Sequence, residues 1–221
     1  MKTIVAALLV PVALLTACKK ETDPVPPQAN TVVLATPAPE AAPAAAAAAP
    51  AAPAELTDEQ KEMARKQGQL DYATMEDGYL KEPLGQWATG ATATSTYSSN
   101  DPIKATGKID GEYWQSNGGD VGFDSIELSF SKPVSATEVR AAFDQGDGIG
   151  GVTKVELQDT NGKWNVVWSG VSDVKHDDRG RRTWFNRTFP KTSYKAKGVK
   201  YTMMNTGGIK PEIDAVQLLG E

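Results

Sequence analysis

Apolar and polar residues alternate in short runs along the second half of the chain. Residues 126–130 (Ile-Glu-Leu-Ser-Phe) and 155–157 (Val-Glu-Leu) have the period of two that is typical of half-buried β-strands. The sequence Asp-Thr-Asn-Gly at 159–162 predicts a hairpin turn that leads into a strand over 163–168. Further runs with strand character lie at 91–97, 184–189, 199–203 and 213–218.

About eight short strands with turns between them, and without helical spacers, predict an all-β fold. The expected architecture is an antiparallel eight-stranded β-sandwich that occupies residues 81–221. In one of these strands, Phe185 and Arg187 are predicted to share one face, with Trp184 on the other.

A short helical segment is predicted before the sandwich, over residues 56–80. Thr57 and Gln60 have the spacing of a capping box at a helix N-terminus. A thin apolar stripe follows at Leu56, Met63 and Leu70. Because Gly68 interrupts this stripe, we expect one or two short helices that end near residues 77–78 and pack on the following domain.

Residues 18–55 do not have the composition of a folded unit. From Pro37 to Ala54 the chain contains twelve alanines, five prolines and one glutamate. Proline interrupts helices and alanine buries little surface, so this stretch is predicted to be a disordered tether. In a polyproline II conformation, residues 19–55 would reach about 110 Å at about 3.1 Å per residue.

The N-terminus carries an export signal. Lys2 precedes an apolar run from Ile4 to Leu15, which is too short to span a bilayer but suits a signal peptide over residues 1–17. The tetrapeptide Leu-Thr-Ala-Cys that ends at Cys18 resembles a bacterial lipobox, which implies that Cys18 is lipidated. Lys19 is not the aspartate associated with inner-membrane retention, so the resemblance favours the outer membrane, with the protein facing the periplasm or the cell surface.

The composition excludes several classes of site. The net charge of −5 is dispersed and offers no basic surface for nucleic acid. Cys18 is the only cysteine and His176 the only histidine, so disulfides within the chain, multi-histidine zinc sites and the familiar nucleophile–base pairs are all excluded. Nothing singles out two of the 28 carboxylates as a glycosidase pair, and we predict that the protein is not an enzyme.

The densest charge cluster lies at residues 175–182, between the strands that contain Trp168 and Trp184. It has two interpretations: a solvated turn whose aspartates and arginines pair with each other, or a loop that faces a ligand. Arginine forks can bind carboxylates or sugar hydroxyls, and a nearby tryptophan offers a stacking surface. The candidate ligand-binding residues are Trp114, His176, Asp177, Arg179, Arg181, Arg182 and Trp184. Trp87 is a further aromatic candidate, whereas Trp164 and Trp168 are predicted to fill the core.

Two segments resemble the galactose-binding-like domains of the discoidin and coagulation-factor type C family. They are residues 109–116 (Ile-Asp-Gly-Glu-Tyr-Trp-Gln-Ser) and residues 126–134 (Ile-Glu-Leu-Ser-Phe-Ser-Lys-Pro-Val), and the closing run 212–218 is also similar to bacterial members. The resemblance covers about residues 87–221. It implies a jelly roll whose binding loops lie at one end, as in many carbohydrate-binding modules.

The resemblance also implies a metal. Members of the family often hold a structural calcium ion through an aspartate of the Asp-Gly turn and a glutamate near the C-terminus, which by position are Asp110 and Glu212 here. The segment between Gly111 and Trp114 is shorter than in the family, and Asp110 could instead simply form a tight turn with Gly111. No other cofactor is expected.

The leading interpretation is a lipid-anchored binding module that recognises a carbohydrate or an envelope protein through loops at one end of the sandwich. The competing class is a structural lipoprotein that docks a partner through a sheet face. An enzyme ranks third. The lipid is the only predicted attachment to the membrane.

Overall fold

The structure, a computed structural model, describes residues 55–117, 119, 122–205 and 210–221. The predicted signal peptide, Cys18 and nearly all of the predicted tether lie outside these residues. In chain order the elements are α1 (Asp58–Leu80), β1 (Gly85–Trp87), β2 (Gly90–Ala93), β3 (Trp114–Gln115), β4 (Gly122–Val134), β5 (Ala136–Asp144), β6 (Val152–Asp159), β7 (Trp164–Ser169), β8 (Arg182–Thr188), β9 (Ala196–Asn205) and β10 (Glu212–Gly220). Within the described part of the chain, no helix is both long and apolar enough to cross a membrane.

Helix α1 begins with the capping box that the sequence predicts. The Thr57 hydroxyl accepts a hydrogen bond from the Gln60 amide, and the Gln60 side chain accepts one from the Thr57 amide at 2.9 Å. Of the one or two short helices expected, the structure shows one, a helix of 23 residues that continues through Gly68. Glycine costs only about 1 kcal/mol inside a helix. A Cβ atom at Gly68 would lie 3.3 Å from Cδ of Arg179, so the missing side chain lets a loop approach the helix.

The strands form two antiparallel sheets. Sheet A has the order β1-β10-β5-β8, with β3 also paired to β10, and sheet B has the order β2-β4-β9-β6-β7. Every strand pair is antiparallel. The predicted all-β antiparallel sandwich is therefore confirmed, with ten strands in place of about eight.

The main core lies between the two sheets. Ile126 and Leu128 of β4 face it from sheet B, and Phe143 and Phe185 face it from sheet A, each at most 1% exposed. Arg187 follows the predicted face of β8, where its guanidinium lies over the rings of Phe185 and Trp168 at 4.0 and 4.6 Å.

The outer face of sheet A is covered by α1. Tyr72 of the helix packs with Trp184, Ala142 and Ala215 in a second apolar cluster. The Tyr72 hydroxyl donates a hydrogen bond to the Arg182 carbonyl at 2.7 Å. Among the described residues, no helix covers the outer face of sheet B, so that face is open.

Candidate functional site

The predicted charged loop lies at one end of the sandwich, together with the connections 94–113 and 145–151; we call this the loop end. Each arginine of the loop is bound by a carboxylate of the protein: Arg179 by Asp177 at 2.8 Å, Arg181 by Asp144 at 2.7 Å and Arg182 by Asp214 at 2.6 Å. The hydrogen bond from Arg179 lowers the pKa of Asp177. Only Arg179 pairs within the loop, whereas Arg181 and Arg182 pair with carboxylates of β5 and β10. A ligand-binding role for these side chains stays a prediction.

His176 lies in the same loop and is exposed to solvent. Its Nδ1 atom is 3.3 Å from the Thr183 hydroxyl. A Cβ atom at Gly146 would lie 2.5 Å from that nitrogen, so the glycine gives the imidazole ring its place against the 145–151 connection. His176 is therefore held against the sandwich with one edge available to solvent.

The two tryptophans predicted to stack on a ligand are buried, and that prediction is wrong. Trp114 is fully buried in the main core, where its indole N–H donates to the Ser95 carbonyl at 3.0 Å. Trp184 is 7% exposed and lies beneath α1, in an edge-to-face contact with Tyr79 at 4.9 Å. Both indoles are packed against apolar side chains, so neither offers a stacking face to a ligand.

The two carboxylates implied as calcium ligands have other partners. An Asp110 oxygen accepts the Glu112 amide at 2.8 Å, which closes the tight turn, and Glu212 accepts a hydrogen bond from the Gln115 side chain. Across residues 55–117, 119, 122–205 and 210–221, no three acidic, histidine or cysteine side chains are grouped to hold a metal. Calcium takes six to eight oxygen ligands, and in the family these include backbone carbonyls as well as the two carboxylates, so a calcium ion at Asp110 and Glu212 stays a prediction.

A groove on the open face of sheet B is the strongest candidate site, and the sequence did not predict it. Its first depression has a volume of about 150 Å³ and is lined by Gly90, Ala91, Thr92, Glu127, Leu128, Ser129, Gln158 and Trp164. A second depression of about 170 Å³ adjoins it, lined by Thr92, Ala93, Thr94, Ser125 and Glu127. Both share Thr92 and Glu127, so the two depressions lie side by side along β2 and β4, and we call them together the groove.

Strand register brings the groove residues together. Ser129 of β4 pairs with Gly198 of β9, which in turn pairs with Gln158 of β6, and Gln158 pairs with Trp164 of β7. These positions share the outer face, since residues directly opposite each other on paired strands point to the same side of the sheet. Gly198 has no side chain, so it leaves the floor low between Ser129 and Gln158.

Trp164 is on the outer face, so the prediction that it fills the core is wrong. Its cross-strand partner on β6 is Gln158, which points to solvent. Trp168 packs against the main core, as predicted. The Lys200 ammonium lies 5.6 Å from the centre of the Trp164 ring and donates to Glu127 at 2.9 Å. The groove therefore places an aromatic ring beside a carboxylate, an ammonium, an amide and hydroxyl groups.

This set of groups suits a sugar. Hydroxyl groups of a ligand can exchange hydrogen bonds with Glu127, Lys200 and Gln158, while an aromatic ring packs against the apolar face of a sugar ring. Strict alternation along β7 would place Trp164 and Trp168 on the same face. The irregularity between Val155 and Glu156 in the pairing of β6 with β7 places them on opposite faces, and the sequence carries no signal for it.

Comparisons with known proteins locate similar folds. No protein-family profile matches the chain, and no curated protein matches it. A family 32 carbohydrate-binding module from Clostridium perfringens NanJ, solved with galactose, is 19% identical over 61% of this chain and 98% of the module, with a TM-score of 0.46. CpGH89CBM32-5 from the same organism, solved with GalNAc-β-1,3-galactose, is 16% identical over 59% of this chain and 94% of that chain, with a TM-score of 0.48. A chitosan-binding module from Paenibacillus sp. IK-5 is 15% identical over 60% of this chain and 96% of its own, with a TM-score of 0.49. Each ligand is that of the module named with it.

Proposed function

We propose that this chain is a non-catalytic carbohydrate-binding protein, held at a bacterial outer membrane by a lipid on Cys18, and that it binds glycan in the groove on sheet B. The observation that carries the proposal is the Trp164 ring on the open sheet face, beside the hydrogen-bonding groups of Gln158, Glu127 and Lys200. The loop end offers less, because its arginines already bind carboxylates of the protein.

Binding is favoured over hydrolysis by the carboxylates of the groove. Hydrolysis of a glycosidic bond uses two carboxyl groups about 5 to 10 Å apart. Of the described residues that line the groove, only Glu127 carries a carboxylate, and Lys200 pairs with it. A positioned carboxylate of this kind suits hydrogen bonding to sugar hydroxyls.

The first test measures glycan binding. The detergent-solubilised full-length protein is incubated with chitosan, alginate, galactan and purified peptidoglycan, and retention is measured by affinity electrophoresis or sedimentation. Trp164→Ala should weaken binding to the retained glycan about tenfold, because it removes a stacking surface worth about 1.4 kcal/mol. The absence of retention by every one of these glycans would overturn the proposal.

Val166→Ala is the matched control. Val166 lies two residues from Trp164 on the same strand and face, is 56% exposed, and does not line the groove. It should bind glycan as tightly as the wild type, and both variants should keep the wild-type melting temperature. Equal losses in the two variants would mean that the groove is not the site.

Arg181→Ala distinguishes the groove from the loop end. Arg181 is the exposed partner of Asp144, and a ligand held by the charged loop would lose a charged contact. Binding in the groove predicts unchanged affinity in this variant. A loss of about tenfold with Arg181→Ala, and none with Trp164→Ala, would move the site to the loop end.

A second candidate function is docking of an envelope protein through the same sheet face. It is favoured by the exposed apolar side chains Phe123, Val166 and Met204, which lie on that face. Protein docking predicts a loss of partner binding with Val166→Ala as well as Trp164→Ala, whereas the glycan proposal predicts a loss only with Trp164→Ala.

A further inference from the structure

The groove continues toward a second exposed aromatic side chain. Phe123 is in β4 on the outer face of sheet B and is 67% exposed. Its cross-strand partner is Met204 of β9, which is 45% exposed on the same face. Large apolar side chains this exposed on one patch of a sheet commonly mark a contact surface.

Phe123 lies beyond the far end of the groove from Trp164. Ser129 lines the same depression as Trp164. It lies six positions from Phe123 along β4, a distance of about 20 Å at about 3.4 Å per residue. Ser125, Glu127 and Ser129 alternate along this path on the outer face. The two aromatic side chains therefore bracket a row of polar groups.

Two glycines leave space around Ser129. Gly90 and Gly198 flank Ser129 on the neighbouring strands. A Cβ atom at Gly90 would lie 2.8 Å from the Ser129 hydroxyl oxygen, and one at Gly198 would lie 3.1 Å from Cβ of Gln158. A bulkier residue at either position would narrow the groove beside Ser129, so these glycines leave room there for a sugar ring.

We infer that the groove binds the interior of an extended glycan chain, with Trp164 and Phe123 as two separate stacking surfaces. The inference rests on the proposed function and adds the ligand class. A single terminal sugar could contact one of the two rings but could not reach both, since Ser129 beside the Trp164 depression is already about 20 Å from Phe123 along β4. The hydroxyl and charged groups between the rings would then bind sugars in the middle of the chain.

The test uses chitosan and alginate oligosaccharides of two to eight sugars, with affinity for the full-length protein measured by calorimetry. In the wild type, affinity should rise with chain length until the ligand reaches both rings. Trp164→Ala should weaken binding at every length. Phe123→Ala should leave the affinity for the shortest bound ligands unchanged and lower the affinity for the longest about tenfold. The affinity of this variant would then no longer rise with the length of the ligand.

Val171→Ala is the control for Phe123→Ala. Val171 is 88% exposed, lies in the loop after β7 and does not line the groove, so its truncation should change no affinity. Both side chains are exposed, and both variants should fold normally.

The outcomes separate this inference from the proposed function. Affinity that does not depend on length in the wild type, or an unchanged length dependence in Phe123→Ala, overturns the extended-chain inference. If Trp164→Ala still weakens binding in that case, the groove remains the glycan site. If no oligosaccharide and none of the four glycans of the first test binds, the proposed function fails and the inference fails with it.

Discussion

Glu212 is a single carboxyl group whose environment changes its titration. It is 9% exposed, at the start of β10 near the loop end. Burial raises its pKa from about 4.5 to about 7, and the negative charges of Asp147 and Asp144 act in the same direction. The hydrogen bond from Gln115 opposes the increase but is the smaller effect.

This pKa predicts how the stability depends on pH. Below pH 4.5 the carboxyl group is protonated in both the folded and the unfolded chain. Between pH 4.5 and 7 the unfolded chain releases the proton while the folded chain keeps it, so the free energy of unfolding falls as the pH rises. Glu212→Gln removes this titration, and the variant should gain stability relative to the wild type between pH 4.5 and 7, as measured by urea unfolding at several pH values.

Glu112→Gln is the contrasting variant. Glu112 is exposed, and its hydrogen bond with Lys104 lowers its pKa. Removal of this carboxyl group should therefore not increase the free energy of unfolding relative to the wild type as the pH rises. If Glu212→Gln and the wild type show parallel stability curves from pH 4.5 to 7, the burial of the Glu212 carboxyl group does not influence stability.

At the scale of elements, the contact of α1 with sheet A depends on a glycine. A Cβ atom at Gly180 would lie 2.1 Å from a ring carbon of Tyr72, the one buried residue of the helix. Polar contacts reinforce this packing: Asn186 donates to the Tyr79 hydroxyl at 2.7 Å, and Gln217 donates to the Tyr79 carbonyl at 3.0 Å. The helix is thus attached along the length of β8.

Gly180→Ala should therefore loosen the helix. The added methyl group cannot fit beside Tyr72, and overpacking of this kind costs about 1–3 kcal/mol. We expect a lower free energy of unfolding and faster amide hydrogen exchange across residues 58–80, measured by mass spectrometry.

Gly78→Ala is the matched control within the same helix. A Cβ atom at Gly78 meets nothing within 4 Å, and alanine favours the helix over glycine by about 1 kcal/mol. This variant should be as stable as the wild type or more stable. Normal exchange protection in Gly180→Ala would show that the helix does not depend on close packing at Gly180.

Burial on both faces also explains why β5 was not predicted as a strand. Its residues from Val139 to Asp144 are all buried, because the main core lies on one side of sheet A and α1 on the other. A strand covered on both faces has no apolar–polar alternation. β10 is likewise buried throughout, but its apolar residues made the closing run recognisable.

At the scale of the whole molecule, the proposed anchor is tested by one substitution. Cys18→Ser removes the thiol that would carry the lipid, and each buried CH₂ of an acyl chain contributes about 0.8 kcal/mol to membrane affinity. We expect the variant to move to the aqueous fraction after a high-salt wash and to lose metabolic labelling with a fatty acid.

Lys20→Ala controls for changes near the cleavage position, since it leaves the thiol in place. It should remain with the membrane and keep the label. Labelled and membrane-bound Cys18→Ser protein would remove the lipid anchor from the proposal.

The groove could not be assembled from the sequence. Trp164, Gln158, Ser129 and Glu127 come from three strands, and their meeting depends on the order β4-β9-β6-β7, which local periodicity does not specify. Local periodicity also does not show what covers a sheet, and for this reason Trp184 was predicted to be available to a ligand. A tryptophan on the outward side of a strand is exposed only if nothing covers the sheet. Here α1 covers it, and the corresponding face of sheet B is open.

By itself the sequence determined the features that rest on local patterns. The capping box of α1, the strands with alternating residues, the hairpin after residue 158 and the all-β class each follow from neighbouring residues and backbone preferences. Only the tertiary structure decided that α1 is continuous, that Trp114 and Trp184 are buried, and that Arg181 and Arg182 of the charged loop pair with Asp144 and Asp214. These outcomes depend on which surfaces meet, since burial and ion pairing are set by residues far apart in the chain.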